Sequence, residues 1–154
     1  MINVPSINLN NETATHELAK KIAQKISFGM LIYLSGDLGS GKTSFARDFI
    51  FELGFKGTVK SPSYSLVEQY KLDIYTVNHF DLYRFKGPEE WHEAGFNEFI
   101  DGGSINLIEW PEKGHPYLPI SDLIIHLNYV SSIKRNALIT ANTPKGAECI
   151  KDLI

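Results

Sequence analysis

A glycine-rich segment at Gly36–Thr43 constrains this chain more than any other feature. Its sequence, GDLGSGKT, has the required residue at every fixed position of the phosphate-binding loop pattern G-x-x-x-x-G-K-[ST]. The short apolar run Met30–Leu34 before it is typical of a buried strand. Lys42–Leu53 after it has helical character and ends beside Gly54, a residue suited to a helix C-terminus. Strand, loop and helix in this order predict a site for a nucleoside triphosphate.

Each part of the loop has an expected role. The glycines allow backbone N–H groups to turn towards phosphate oxygens, and the following helix adds its positive N-terminal end. Lys42 is expected to reach the β- and γ-phosphates, and Thr43 to place its hydroxyl on Mg²⁺. The residues predicted to contact nucleotide here are Gly36, Asp37, Leu38, Gly39, Ser40, Gly41, Lys42, Thr43 and Ser44.

Two acids follow strand-like segments further along the chain. Asp73–Phe80 runs into Asp81, and Ile105–Ile108 runs into Glu109. Ligands of open α/β sheets bind at the carboxyl ends of strands, so both acids are candidate catalytic residues and Mg²⁺ ligands beside Lys42. Glu109 resembles a Walker-B acid. A solvated acid at a strand end has the same sequence appearance, so both interpretations stay open at this point.

Helical and strand-like segments alternate along all 154 residues, which predicts the α/β class and one domain over residues 1–154. The predicted helices are 13–26, 42–53 and 88–94. The predicted strands are 30–34, 66–70, 73–80, 105–110, 122–129 and 134–140. The pair 66–70 and 73–80 is expected to be antiparallel, and the last two strands are expected to close the sheet.

Charge and cysteine content restrict partners and compartment. The net charge is −3, whereas general nucleic-acid-binding proteins usually carry an excess of positive charge. Cys149 is the only cysteine, which fits a reducing compartment. The N-terminal residues lack a signal-peptide pattern, and no apolar run reaches the ~20 residues of a membrane span. We therefore expect a cytoplasmic protein without a membrane partner.

Some further candidates have a less specific pattern. Ser61 and Ser63 lie in the loop where many nucleotide hydrolases sense the γ-phosphate, but an ordinary turn explains them equally well. Trp110 follows Glu109 at a position where a core side chain is more common than a ligand contact. His79 is interpreted as a strand residue, because no second His or Cys lies at metal-ligand spacing.

Together these motifs resemble the TsaE (YjeE) family, bacterial ATPases needed to make N6-threonylcarbamoyladenosine (t6A) in tRNA. The loop alone is unspecific, but five stretches occur in family order and spacing over roughly residues 8–130. They are Glu12–Thr15 (ETAT), Gly36–Thr43, Val59–Glu68 (VKSPSYSLVE), His79–Arg84 (HFDLYR) and Ile108–Glu112 (IEWPE). The chain departs from the family at Ser63 and Ser65, where Thr is usual but the hydroxyl is kept.

The resemblance implies a P-loop NTPase-like domain with a mixed, mostly parallel sheet flanked by helices and no lid domain. It implies ATP (or ADP) and Mg²⁺ as ligands, and the preference for a purine rests on it alone. Roles are implied for Thr15 near the adenine, Thr43 and Glu109 on Mg²⁺, Asp81 in hydrolysis, Ser61 and Ser63 in a switch-like loop, and Trp110 in shaping the site. A basic contact is implied from Lys134 or Arg135, and this choice stays open.

The resemblance also implies partners. Family members work with TsaD, which transfers the threonylcarbamoyl group, and with TsaB, and their ATP hydrolysis is thought to reset that complex. Contact with tRNA would then be indirect. Two alternatives are a small-molecule kinase, disfavoured by only three arginines and no lid-sized insertion, and a nucleotide-dependent binding module with negligible turnover.

Overall fold

The apolar run before the phosphate-binding loop forms the central strand of one seven-stranded sheet. The computed structural model describes residues 2–153. Its strands are Ile2–Leu9 (β1), Leu31–Ser35 (β2), Val67–Lys71 (β3), Thr76–Asp81 (β4), Ile105–Glu109 (β5), Leu123–Tyr129 (β6) and Arg135–Ala141 (β7). The strand order is β1-β7-β6-β2-β5-β4-β3. The pairs β2–β5, β2–β6 and β4–β5 are parallel and the other three are antiparallel. Five of the seven strands run in one direction and only β3 and β7 oppose it, which confirms the predicted mixed sheet; its parallel pairs are three consecutive ones.

Helices cover both faces of this sheet. The α-helices are Glu12–Gln24 (α1), Lys42–Glu52 (α2), Glu90–Glu93 (α3) and Pro144–Ile150 (α4). Short 3₁₀ helices span Phe96–Phe99, Pro111–Gly114 and Lys151–Leu153. The Asn11 side chain caps α1 by accepting a 2.8 Å hydrogen bond from the Ala14 N–H. No side chain caps α2, so its N-terminal N–H groups remain available at the loop.

The core has two layers because side chains alternate across β2. Ile32 and Leu34 face α1 and α2, where they pack with Phe45 and Phe49. Leu31 faces the other layer, which is rich in aromatic side chains. That layer comprises Phe80, Leu82, Phe85, Trp91, Phe96 and Ile108 with Leu31. The alternation explains why the run reads as continuously apolar: both faces of the strand are buried.

Two elements were not predicted. β1 pairs with β7 at the sheet edge, but Val4 and Leu9 are its only buried residues, and Pro5 interrupts the strand pattern. α4 begins at Pro144 after the cap Thr143, whose hydroxyl accepts from the Gly146 N–H. The predicted helix at 88–94 is α-helical only over Glu90–Glu93. Within residues 2–153, no helix combines the length and apolar character needed to cross a membrane.

Candidate nucleotide-binding site

The two strand-end acids lie next to the phosphate-binding loop. β2 leads directly into Gly36, and its parallel neighbour β5 ends at Glu109, in register with Leu34. β4 ends at Asp81, which lies opposite Glu109 in the next parallel pair. The carboxyl ends of the three strands therefore bring the loop and both acids to one edge of the sheet, as predicted.

Left-handed backbone conformations shape the loop. Gly36 has a φ of 135° and is buried so closely that a Cβ there would collide with the Leu127 carbonyl oxygen. Gly41 has a φ of 100° and forms the N-cap of α2. L-residues with side chains rarely adopt such φ values, so the sequence needs glycine at both positions. The loop backbone consequently curls around the N-terminus of α2.

Lys42 folds back across the loop. Its Nζ donates to the carbonyl oxygens of Gly36 (2.5 Å) and Asp37 (2.9 Å) and lies 4.3 Å from the centre of the Trp110 ring. Burial lowers the pKa of the Lys42 ammonium, and the nearby Glu109 carboxylate opposes that shift. The loop carbonyls thus hold a buried cation against the glycine-rich loop.

Glu109 is fixed from two sides. The Thr43 hydroxyl donates to Glu109 Oε1 at 3.1 Å, and His79 Nε2 lies 2.5 Å from Oε2. A carboxylate only accepts hydrogen bonds, so His79 Nε2 carries the proton of this bond. The exposed fractions are 2 % for Glu109 and 0 % for His79. Glu109 is therefore a buried, oriented carboxylate rather than a solvated strand-end acid.

His79 is a site residue that the sequence interpretation missed. The sequence pattern predicts a strand residue there, because no second His or Cys lies at metal-ligand spacing. Its spacing of two from Asp81 was the available signal, since residues i and i+2 of a strand face the same side of the sheet. Its Nδ1 has no hydrogen-bond partner within residues 2–153.

Asp81 is also buried, with 6 % of its surface exposed. Its Oδ1 accepts a 2.9 Å hydrogen bond from the Tyr83 N–H. Burial raises the pKa of the Asp81 carboxyl, and the Tyr83 bond partly offsets that shift. The second carboxylate oxygen is available to the space beside the loop.

Most of the predicted site residues line one cavity of about 570 Å³, which we call the phosphate cavity. The predicted residues that line it are Leu38, Gly39, Gly41, Lys42, Thr43, Ser44, Ser61, Ser63, Asp81, Glu109, Trp110 and Arg135. Gly36 and Asp37 instead supply the carbonyls that hold Lys42. Ser40 is a buried residue of the loop itself, with 1 % of its surface exposed.

A second cavity of about 320 Å³ shares Gly41, Ser44 and Arg135 with the first; we call it the outer cavity. Thr15 of α1 lines it, which is the placement expected for a residue near a base. His16, Arg47 and Asp48 add polar groups there that the sequence analysis did not single out. A nucleotide with its phosphates in the loop would extend over Gly41 and Ser44 into this space.

Of the two basic candidates, Arg135 occupies the site. Its Nε donates to the Ser40 carbonyl at 3.1 Å, and it lines both cavities, whereas Lys134 lines neither. Arg135 therefore connects the start of β7 with the phosphate-binding loop. The sequence could not distinguish neighbouring residues, because the alternation of faces depends on where the strand begins.

Trp110 forms part of the cavity wall and also packs against the aromatic core layer. Its φ of 57° is left-handed, an uncommon conformation for a residue with a side chain. Its ring stacks on Tyr83 with 4.9 Å between ring centres. Trp110 is thus a core side chain, as its sequence position favours, and also a residue of the cavity wall, as the family resemblance implies.

The site offers oxygen atoms suited to Mg²⁺. Thr43 supplies a hydroxyl and Glu109 a carboxylate at contact distance from each other, both at the cavity wall. Within residues 2–153, no group of three or more His, Cys, Asp or Glu side chains could hold a metal ion by itself. This donor set fits Mg²⁺, which usually takes one or two protein ligands and completes its shell with water and phosphate oxygens.

Comparisons with known proteins give one consistent result. The family model described as "Threonylcarbamoyl adenosine biosynthesis protein TsaE" matches residues 9–137. The tRNA threonylcarbamoyladenosine biosynthesis protein TsaE of Haemophilus influenzae is 41 % identical over 79 % of this chain and 76 % of its own. The protein of the same name from Bacillus subtilis is 30 % identical over 85 % and 82 %, respectively.

The fold comparison agrees. The crystal structure of Bacillus subtilis YdiB superposes with a TM-score of 0.83 and 25 % sequence identity, over 99 % of this chain and 94 % of that one. The sequence match spans β2, the phosphate-binding loop, both strand-end acids and the start of β7. The chain therefore belongs to the TsaE family of tRNA threonylcarbamoyladenosine biosynthesis proteins.

Proposed function

We propose that this chain binds MgATP and hydrolyses it to ADP and phosphate, as the ATP-dependent subunit that works with TsaD and TsaB in t6A formation. The observation that carries the proposal is the shared cavity. Lys42, Asp81 and the contacting pair Thr43–Glu109 all line it. These are the positive charge, the acid and the metal-binding oxygens that phosphoryl transfer to water needs.

Binding would begin at the loop and α2. Backbone N–H groups of the loop and the uncapped helix N-terminus attract phosphate oxygens. Lys42 would exchange the carbonyls of Gly36 and Asp37 for phosphate oxygens, which are stronger acceptors. Thr15 in the outer cavity would contact the adenine.

The buried acids would then take different roles. Glu109 and Thr43 would hold Mg²⁺, whose charge stabilises the transferring phosphoryl group when it is bound. Asp81 would orient the attacking water and accept its proton. Its raised pKa makes it a better proton acceptor than an exposed aspartate, and its Tyr83 contact fixes the side chain.

Exposed apolar side chains beside the phosphate cavity support a protein partner at this edge. The exposed fractions are 67 % for Leu38, 82 % for Tyr64 and 38 % for Tyr83. Such groups around an otherwise polar site are typical of a surface that another protein covers. We therefore expect slow turnover alone and faster turnover with TsaB and TsaD.

The decisive experiment is phosphate release from ATP by the isolated chain, and again with TsaB, TsaD and tRNA. We expect ADP and free phosphate as products, with a rate that rises with the partners and is lost in Lys42→Ala. Equal rates with and without partners would contradict the partner role. A phosphorylated acceptor would indicate a kinase, and ATP binding without phosphate release would indicate a binding module.

A further inference from the structure

Arg84 lies at the phosphate cavity although no prediction placed it there. It follows β4 by three residues, and its guanidinium carbon lies 4.1 Å from the centre of the Tyr64 ring. Tyr64 belongs to the loop between α2 and β3, which also carries Ser61 and Ser63. One cation–π contact therefore connects the segment after β4 with the neighbouring loop that leads into β3.

Arg84 differs from the other two cations that line this cavity. Lys42 and Arg135 each donate hydrogen bonds to backbone carbonyls. The Arg84 guanidinium has neither a hydrogen-bond acceptor nor a carboxylate partner among residues 2–153. All five of its N–H donors are available, in the planar arrangement that matches a phosphate group.

The charge of the cavity supports the same assignment. Apart from Arg84, two cations and two carboxylates line it, so their formal charges cancel. They are Lys42, Arg135, Asp81 and Glu109. Arg84 gives these side chains a net positive charge, which favours a polyphosphate that still carries negative charge after Mg²⁺ has bound.

The position of Arg84 indicates which phosphate it faces. The outer cavity, where the base is expected, joins the phosphate cavity at Gly41, Ser44 and Arg135. Arg84 lines only the phosphate cavity, together with Asp81 and Glu109. Arg84 therefore lies with the two acids, away from the space expected for the base, and this is where we expect the terminal phosphate of a triphosphate.

We propose that Arg84 is a ligand of the terminal phosphate supplied by the chain itself, and that Tyr64 holds it when no triphosphate is bound. The Tyr64 ring is 82 % exposed, so water competes with this contact and it is weak. A phosphate oxygen is a stronger partner for a guanidinium. Transfer of Arg84 from Tyr64 to phosphate would release the loop that carries Ser61 and Ser63, so this loop would respond to the third phosphate.

This inference rests on the proposed function, and the test separates the two. Dissociation constants for the Mg²⁺ complexes of ADP and of a non-hydrolysable ATP analogue are measured by calorimetry for the wild type, Arg84→Gln and Arg84→Lys. Lys113→Gln is the matched control: Lys113 is also exposed, with its Nζ 5.8 Å from the centre of the Tyr83 ring, but it does not line the cavity.

We expect Arg84→Gln to lower the affinity for the ATP analogue about 10- to 100-fold, as for loss of charged hydrogen bonds. Its affinity for ADP should change less than twofold. Arg84→Lys keeps the charge without the bidentate geometry, so its affinity for the ATP analogue should lie between those of the wild type and Arg84→Gln. Lys113→Gln should match the wild type. Tyr64→Ala should bind the analogue at least as tightly as the wild type, because Arg84 is then already free.

Equal weakening of ADP and analogue by Arg84→Gln, or no weakening of either, would overturn the role of Arg84. Weaker analogue binding in Tyr64→Ala would overturn the exchange between ring and phosphate. If Arg84→Gln does not fold, the ratio of the two dissociation constants in Arg84→Lys decides the question. Failure of the wild type to bind either nucleotide would instead refute the proposed function.

Discussion

The contact between His79 and Glu109 allows a quantitative prediction for His79→Ala. The two side chains have exposed fractions of 0 % and 2 %, and the atoms in contact are 2.5 Å apart. Removal of a hydrogen-bond donor from a buried group typically costs about 1–3 kcal/mol, and more where the group left behind is a carboxylate. Thr43 still donates to Glu109, so we expect a loss of about 3 kcal/mol in the free energy of unfolding.

The same substitution should weaken Mg²⁺ binding at the proposed site. His79 orients Glu109 Oε2, and loss of a group that orients a metal ligand usually costs about 10- to 100-fold in affinity. Urea unfolding followed by circular dichroism measures the stability, and Mg²⁺ titration at saturating ATP analogue measures the metal site. Glu109→Gln and the double variant complete a double-mutant cycle with His79→Ala.

The cycle decides between a direct and an indirect effect. A direct contact predicts a coupling of more than about 1 kcal/mol between the two positions. Additive losses within about 0.3–0.5 kcal/mol would refute it, because His79 would then act only through packing. Unchanged Mg²⁺ affinity in a folded His79→Ala variant would refute the positioning role.

Three further predictions use simpler measurements. Lys42→Ala should lower ATP affinity at least about tenfold in a calorimetric titration, since charged hydrogen bonds to phosphate contribute about 1.5–3 kcal/mol each; unchanged affinity would contradict the assignment of the loop. Asp81→Asn should slow phosphate release about 10²- to 10⁴-fold. It should also stabilise the chain at neutral pH. Burial raises the folded-state pKa of Asp81, so the wild type loses stability as pH rises through that pKa while the amide does not. Cys149 should react with a thiol reagent at pH 8 only after unfolding, because burial raises its pKa to about 11; rapid labelling of the native chain would contradict its burial.

The sequence predicted the parts of the site that local patterns encode. The fixed residues of the loop and the continuous apolar runs of β2 and β5 identify the strand, the loop and Glu109. The placement of Asp81 and Glu109 beside the loop was predictable, because parallel strands have their carboxyl ends at one edge of the sheet. β1 was missed because an edge strand needs few apolar residues, and only Val4 and Leu9 are buried in it.

The missed site residues depend on contacts between distant segments. His79 is part of the site because it contacts Glu109, which is thirty residues away in the chain. Arg84 lines the cavity and contacts Tyr64, a residue of the α2–β3 loop twenty positions earlier in the chain. Both residues lie in the stretch His79–Arg84, and His79 is two residues from Asp81, but these patterns do not identify the groups that each side chain contacts. Those contacts are visible only in the folded chain.

The contacts divide the site into a fixed half and a half that must rearrange. On the fixed side, Glu109 is buried and held by Thr43 and His79. On the other side, Lys42 is held by loop carbonyls and Arg84 by an exposed ring, both weaker partners than phosphate. Binding of the proposed MgATP would therefore require little reorganisation of Thr43 and Glu109, whereas both cations would exchange partners. Because those exchanges occur on the loop and beside Tyr64, the surface around the cavity would change with the nucleotide, and a partner covering that surface could distinguish the two states.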